Sequence, residues 1–186
     1  TDILKDKFNI NCKILPMSDD KVSTKLITKK GEKLNFQKYF VEKRAKPRLK
    51  KVSYEGSQKA RVSKGLLSTI NQSDICIIGP SNPILSIGPI LSLSKINQAV
   101  ENHNNVIAIS PFVGKKALKG PSVENFIDIG YTPNIKGLKK YYKNRVNKFY
   151  VHYGDSDNSA DVYEEQIIFK NENDSRILGN KILENE

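Results

Sequence analysis

The stretch that most constrains this chain is residues 74–96, DICIIGPSNPILSIGPILSLSKI. Its unbroken apolar run after Asp74 reads as a strand buried on both faces, because a strand with one wet face would alternate. The run stops at Gly79-Pro80. A knot of small and rigid residues follows, and apolar periodicity then predicts a helix from about Ile87 to Asn102. A strand covered on both faces requires helices above and below it, so the stretch points to an α/β fold with a mainly parallel sheet.

The rest of the chain alternates in the same way, without internal repeats. INCKILP (10–16) predicts a buried strand, residues 22–36 a hairpin turning at Lys30-Gly31, and LKKVSYEG (49–56) a further strand. FQKYFVEKR (36–44) suits either a short helix or a strand. Residues 57–72 predict a helix packing Val62, Leu66, Leu67 and Ile70, and NVIAISP (105–111) repeats the strand-then-loop theme. In SVENFIDIG, Ser122 is the expected N-cap and Gly130 the stop. KFYVHY (148–153) and EQIIFK (165–170) predict two more strands, and residues 174–185 a closing amphipathic helix. The expected architecture is one α/β domain over residues 1–186, a Rossmann-like three-layer arrangement with helices on both faces of the sheet.

Charge narrows the partners. The formal charge is +11, from 31 basic and 20 acidic residues, but only five of the basic residues are arginine and the lysines are scattered. Nucleic-acid readers cluster arginines with aromatics, so no nucleic-acid partner is expected, whereas a phosphate-rich small molecule needs only two or three such charges. No stretch reaches the roughly 18 apolar residues of a membrane span. Cys12 and Cys76 match no metal or redox spacing, which suits a reducing cytoplasm.

In sheets of this kind ligands bind where strands end, so the loops leaving strands carry the candidate site. In the first loop Gly79 turns the chain, Pro80 and Pro83 stiffen it, and Gly88-Pro89 opens a helix. Backbone N–H groups near Ser86 to Ile90 would then converge as an anion cradle, reinforced by the helix dipole and by the hydroxyls of Ser81 and Ser86. Asn82 offers a donor and an acceptor suited to a base edge or a ribose. The same residues also suit a plain strand-to-helix turn. The second loop, SPFVGKKALKGPS (110–122), places Gly114, Gly120 and Lys119 after the next strand, and the two loops together suggest a diphosphate site; a solvated basic loop is the alternative. In LPMSDD (15–20), Asp19-Asp20 could hold a divalent metal or orient a hydroxyl, or could simply form a turn. His103 and His152 have no partners at catalytic spacing.

LPMSDD, FQKYFVEKR, IGPSNPILSIGPIL and SPFVGKKALKGP, in this order, resemble the 2-phospho-L-lactate transferase (CofD-like) family of coenzyme F420 biosynthesis, over residues 8 to 130 or so. The resemblance implies a magnesium-dependent transferase. It would move a 2-phospholactyl or enolpyruvyl phosphate group from a guanosine diphospho-ester to the deazaflavin precursor Fo and release GMP. It implies Ser81, Asn82, Pro83, Ser86, Gly88, Gly114 and Gly120 around the nucleotide, Met17 and Ser18 toward the acceptor, and Asp19 and Lys119 in catalytic roles. Lys115 stands where the family has a second glycine. The family's glycine-rich opening strand and its metal-holding acidic residues are expected upstream of Thr1, so the chain reads as the C-terminal portion of a longer transferase, incomplete at its N-terminus and inactive alone. A homodimer is compatible with this. The alternative is a gluconeogenesis-factor (YvcK-like) regulator that binds a nucleotide-sugar without turnover.

Overall fold

The computed structural model describes residues 2–114, 116–117 and 120–185. In chain order the elements are α1 (Asp2–Lys7), β1 (Ser23–Thr28), β2 (Lys33–Asn35), β3 (Leu49–Glu55), α2 (Leu66–Gln72), β4 (Cys76–Ile78), α3 (Gly88–Leu91) and α4 (Ser94–Glu101). They continue with β5 (Val106–Ile109), β6 (Phe112–Val113), β7 (Lys116–Ala117), α5 (Ser122–Asp128), α6 (Ile135–Tyr142), β8 (Lys148–Val151), β9 (Val162–Glu164) and α7 (Glu172–Glu184). Two π-helical turns, Lys38–Glu42 and Pro83–Ile87, lie at the loops that matter below.

A four-stranded parallel sheet, ordered β4-β5-β8-β9, is the frame. Its apolar runs are continuous because both faces are covered. Val106, Ala108, Phe149 and Val151 face the main core, while Ile107 and Tyr150 point the other way, onto Leu178 and Ile182 of α7. Side chains in a strand alternate between faces, so burying both faces demands apolar residues at consecutive positions. This is the expected α/β arrangement with helices on both sides of a parallel sheet. Cover is thinner at the edge strand β4, where Ile77 is 49% exposed.

Beside this frame sits an antiparallel sheet, β2-β1-β3, whose Leu26, Leu34 and Leu49 join the main core. Its hairpin turns at Thr28–Gly31, and β3 follows the predicted strand. The buried carboxylate of Asp128, at the end of α5, clamps it in place. That group accepts hydrogen bonds from Leu49 N (2.7 Å) and Arg48 Nε (2.8 Å) and pairs with Lys29 (3.0 Å). Burial pushes the Asp128 carboxyl up, but the hydrogen bonds of Arg48, Leu49 and Lys29 outweigh it and hold it below its usual value.

Several local expectations fail, each for a traceable reason. No strand among the described residues pairs with 10–16; Cys12 is exposed, and the segment stays extended without a ladder. The helix predicted over 57–72 forms only from Leu66, because Gly65 (φ 85°) breaks the backbone, and residues 61–63 bond instead to the loop at Met17–Asp20. The helix predicted from Ile87 to Asn102 is two helices, interrupted at Leu93, which is extended (ψ 114°) and buried. Ser122 is the buried first residue of α5, and its N-cap position belongs to Pro121. Strand β9 is the three residues immediately before EQIIFK, whose Ile167 packs under α7 without a ladder of its own.

Asp128 sets one pH dependence. A carboxyl whose folded pKa is depressed contributes stability that is complete above its unfolded value, near 3.9, and lost as pH falls through the folded value. Asp128→Asn is expected to cost about 1.5–3 kcal/mol at pH 7 in urea titrations, the range for hydrogen bonds to a charged group. The cost should shrink as pH falls below about 4, where the unfolded carboxyl takes up its proton, and vanish once pH passes below the lowered folded value, where the native carboxyl is protonated too. A variant as stable as the native chain at pH 7 would show that the clamp contributes nothing.

Candidate functional site

The two loops predicted to cooperate do meet. Ser81, Asn82 and Ser86, after β4, and Pro111, Gly120 and Pro121, after β5, line one cavity of about 250 Å³ to which Phe36 and Phe40 contribute a further wall. Parallel strands β4 and β5 are direct neighbours, so their carboxyl-end loops emerge side by side. A second cavity of about 540 Å³ shares Phe40, Gly120 and Pro121 and adds Arg44, Lys46, Arg48 and Glu124.

The first loop is held from inside. Asn82 Oδ1 accepts the N–H groups of Ile84 (2.9 Å) and Leu85 (3.0 Å), and its Nδ2 donates to Asn125 Oδ1 (3.0 Å). Asn125, fully buried in α5, donates to the Tyr39 hydroxyl (2.8 Å), which donates to the Ala45 carbonyl (3.1 Å). Burial pushes the Tyr39 hydroxyl up, with the Asn125 bond opposing it, so Tyr39 stays a neutral donor. One relay thus joins the first loop, α5 and the turn at 38–45.

This corrects the expected amide cradle. The N–H groups of Ser86 and Ile87 donate to the Asn82 carbonyl, and that of Gly88 to the Pro83 carbonyl, closing the π-helical turn; none of the three is left for an anion. The helix that follows has only four residues. Asn82 likewise spends most of its amide on the protein rather than on a base edge. Pro83 is buried, and its carbonyl also accepts from Tyr141 (2.8 Å). Gly88 is buried too and lines neither cavity: a Cβ there would fall on the Tyr54 hydroxyl, which donates to the Ile84 carbonyl (2.6 Å). Burial pushes Tyr54 up to about 12, so this hydroxyl remains protonated. Ser81 and Ser86 are the exposed members of the block, and among the described residues their hydroxyls have no hydrogen-bond partner.

The second loop divides. Gly120 (φ 62°) lines both cavities. Gly114 does not: its N–H donates to the Asp155 carboxylate (2.9 and 3.1 Å). Lys115 and Lys119 lie outside the described residues. The SDD loop is tied down separately. Ser18 Oγ donates to the Arg61 carbonyl (2.6 Å), and Asp20 accepts from Arg61 N (2.8 Å), the bond chiefly responsible for lowering its carboxyl. Asp19 is exposed and, among the described residues, unpaired. Met17, Ser18 and Asp19 line neither cavity. The following residues from Lys21 to Lys25 line a third one, of about 440 Å³, which shares Phe36 and Leu85 with the loop cavity.

Among known proteins, the chain matches the family 2-phospho-L-lactate transferase CofD over residues 1–180. It belongs to the CofD family. The 2-phospho-L-lactate transferase of Methanopyrus kandleri is 37% identical over 142 residues, 76% of this chain and 45% of that protein. That of Methanococcus maripaludis is 37% identical over 190 residues, covering 98% and 61%, and that of Methanocaldococcus jannaschii 35% over 170 residues, covering 90% and 54%. The chain spans about half the length of the curated relatives it matches. A crystal structure of a UPF0052 family member from Bacillus halodurans superposes with a TM-score of 0.57 over 81% of this chain and 46% of that one; at 17% identity it supports the fold.

The CofD-family chain shows cavity residues that pattern reading missed: Phe36, Phe40, Arg44, Lys46 and Glu124. One signal was available, since two of only five arginines fall within Arg44–Arg48. Magnesium, which the family implies, finds no fit here. Among the described residues no group of three or more His, Cys, Asp or Glu could hold a metal ion, and Asp20 is engaged by Arg61.

Asn82→Ala tests whether the first loop is fixed by its side chain. The substitution is expected to cost about 1–2 kcal/mol in thermal unfolding, as for loss of a capping side chain. Faster hydrogen exchange should appear at Ile84 and Leu85. Unchanged protection at both amides would refute the relay.

Proposed function

We propose that the full-length CofD-family protein is a cytoplasmic transferase acting on a guanosine diphospho-ester, with the loop cavity receiving the diphosphate. The supporting observation is the meeting of Ser81, Ser86 and Gly120 in one cavity, with both hydroxyls unspent among the described residues. A hydroxyl oxygen of the deazaflavin precursor Fo attacks the phosphorus bearing the lactyl or enolpyruvyl group. A P–O bond forms, the bond to the GMP phosphate breaks, its electron pair leaves with GMP, and the hydroxyl proton passes to a base.

Ser81 and Ser86 donate hydrogen bonds to phosphate oxygens, and such donors accelerate the step to the extent that they bind the leaving phosphate better as its charge grows. Lys119, the sequence neighbour of Gly120, is assigned the same neutralising task. Asp19, an exposed carboxylate unpaired among the described residues, is assigned to receive or orient the acceptor's proton, with Met17 and Ser18 beside it in the chain. A bound magnesium ion would add charge neutralisation at the phosphates, and the described residues offer no cluster of ligands for it.

The test is incubation with Fo and lactyl-diphosphoguanosine, followed by GMP release. Replacing both serines, S81A with S86A, should raise KM for the donor about tenfold or more, as expected for lost hydrogen bonds to a charged group, with an unchanged melting temperature. An unaltered KM would remove the diphosphate from this cavity. Tight binding of the guanosine ester without turnover would favour the regulator over the transferase.

A further inference from the structure

Among the described residues, the loop that brings Gly120 to the smaller cavity is tied to its surroundings at its root, its exit and its tip. At the root, Ser110 N donates to the Tyr150 carbonyl (2.8 Å), and Ser110 Oγ accepts the N–H of Phe112 (3.0 Å), whose ring is buried against Phe126. At the exit, Pro121 passes into α5, which the Asn125 relay holds. Between the two the chain folds out as the hairpin β6-β7, with Phe112 opposite Ala117 and Val113 opposite Lys116. Its tip carries Gly114 in the left-handed region (φ 52°), and the Gly114 N–H donates to both carboxylate oxygens of Asp155 (2.9 and 3.1 Å). Asp155 comes from a third strand-end loop, the one after β8, which is the strand beside β5. Glu164 of β9 sets its place: Glu164 Oε1 accepts the N–H groups of Gly154 (3.0 Å) and Ser156 (3.1 Å), the two neighbours of Asp155 in the chain. Asp155 N itself donates to the His152 carbonyl (3.0 Å).

We propose that Asp155 is a positioning residue for donor binding: by holding the Gly114 N–H it fixes the hairpin whose exit presents Gly120 to the cavity, and Glu164 fixes Asp155 in turn. The role rests on the diphosphate reading of that cavity. Asp155 lines neither of the two cavities at the loops, so it acts through Gly114 and not on the ligand. A ribbon of two short strands has little stability of its own, and its direction is set by what its tip touches. A bond from an amide to a carboxylate is about twice as strong as one between neutral groups, which suits a single contact that must hold an exposed tip. Released, the hairpin samples several directions, and the donor must first select the one that presents Gly120. That selection lowers apparent affinity by the fraction of molecules in the competent arrangement. Gly114 thereby serves the cavity from outside it: its N–H is spent on Asp155, and its left-handed backbone makes the tight tip that offers the N–H outward.

Steady-state kinetics of the full-length protein with lactyl-diphosphoguanosine and Fo test this on Asp155→Ala, Asp155→Asn and Glu164→Ala. Asp155→Ala is expected to raise KM for the donor about tenfold and to leave kcat and KM for Fo near native, the pattern of binding lost equally from ground and transition states. Exchange of the Gly114 amide should quicken, and the melting temperature should not move, because the bond lies at the surface. Asp155→Asn keeps an acceptor oxygen without the charge, so donor KM should return to within about threefold of native. A residue acting on the diphosphate through its charge would not be rescued in this way, and an Asn variant as impaired as the Ala variant overturns the positioning role. Glu164→Ala should raise donor KM in the same direction, and adding it to Asp155→Ala should cost nothing more, as for two residues acting in series. If S81A with S86A raises donor KM and Asp155→Ala does not, the positioning role is overturned while the diphosphate reading stands. If the native protein binds no guanosine ester, both fall together.

Discussion

The site depends on a run of hydrogen bonds, Asn82 to Asn125 to Tyr39 to the Ala45 carbonyl, fully buried at its centre. Its central members, Asn125 and Tyr39, are withdrawn from water, and their polar groups would be costly to bury unpaired. Paired, they require the loop after β4, helix α5 and the turn at 38–45 to occupy one relative position. A mismatch at any link strands a donor or acceptor in a low-dielectric interior, so the relay specifies geometry more strongly than apolar contact, which tolerates sliding.

The consequence is a division of labour within the loop. Asn82, Pro83 and Gly88 face inward and build the turn, while Ser81 and Ser86 face the cavity with hydroxyls unspent among the described residues. The π-helical turn at 83–87 uses its amides on itself, so binding capacity in this loop passes to side chains. Asp128 extends the same economy to the far wall: one buried carboxylate draws Arg48 and Lys29 to the antiparallel sheet edge. With Arg48 so engaged, Arg44 and Lys46 are left as the positive side chains of the larger cavity without an acidic partner among the described residues.

Legibility followed the range of the interactions. The run around Cys76–Ile78, the strand at 106–109 and the hairpin at 23–35 were readable because periodicity and turn chemistry are local. Residues 10–16 were apolar enough for a strand, yet a ladder requires a partner that local composition does not supply. The helix expected across 87–102 failed at Leu93, where burial outweighed propensity. Phe40 and Glu124 carry no motif at all; they matter because two distant segments bring them to one cavity.

By itself the sequence determined the α/β class and marked the two strand-end loops, with Ser81 and Ser86 in the first, because doubly buried strands and Gly-Pro-Ser loops leave local signatures. The tertiary structure decided which of the loop's polar groups remain free. Hydrogen-bonding capacity is consumed by long-range partners such as Asn125 and Tyr141, and no local pattern around Asn82 or Pro83 announces them.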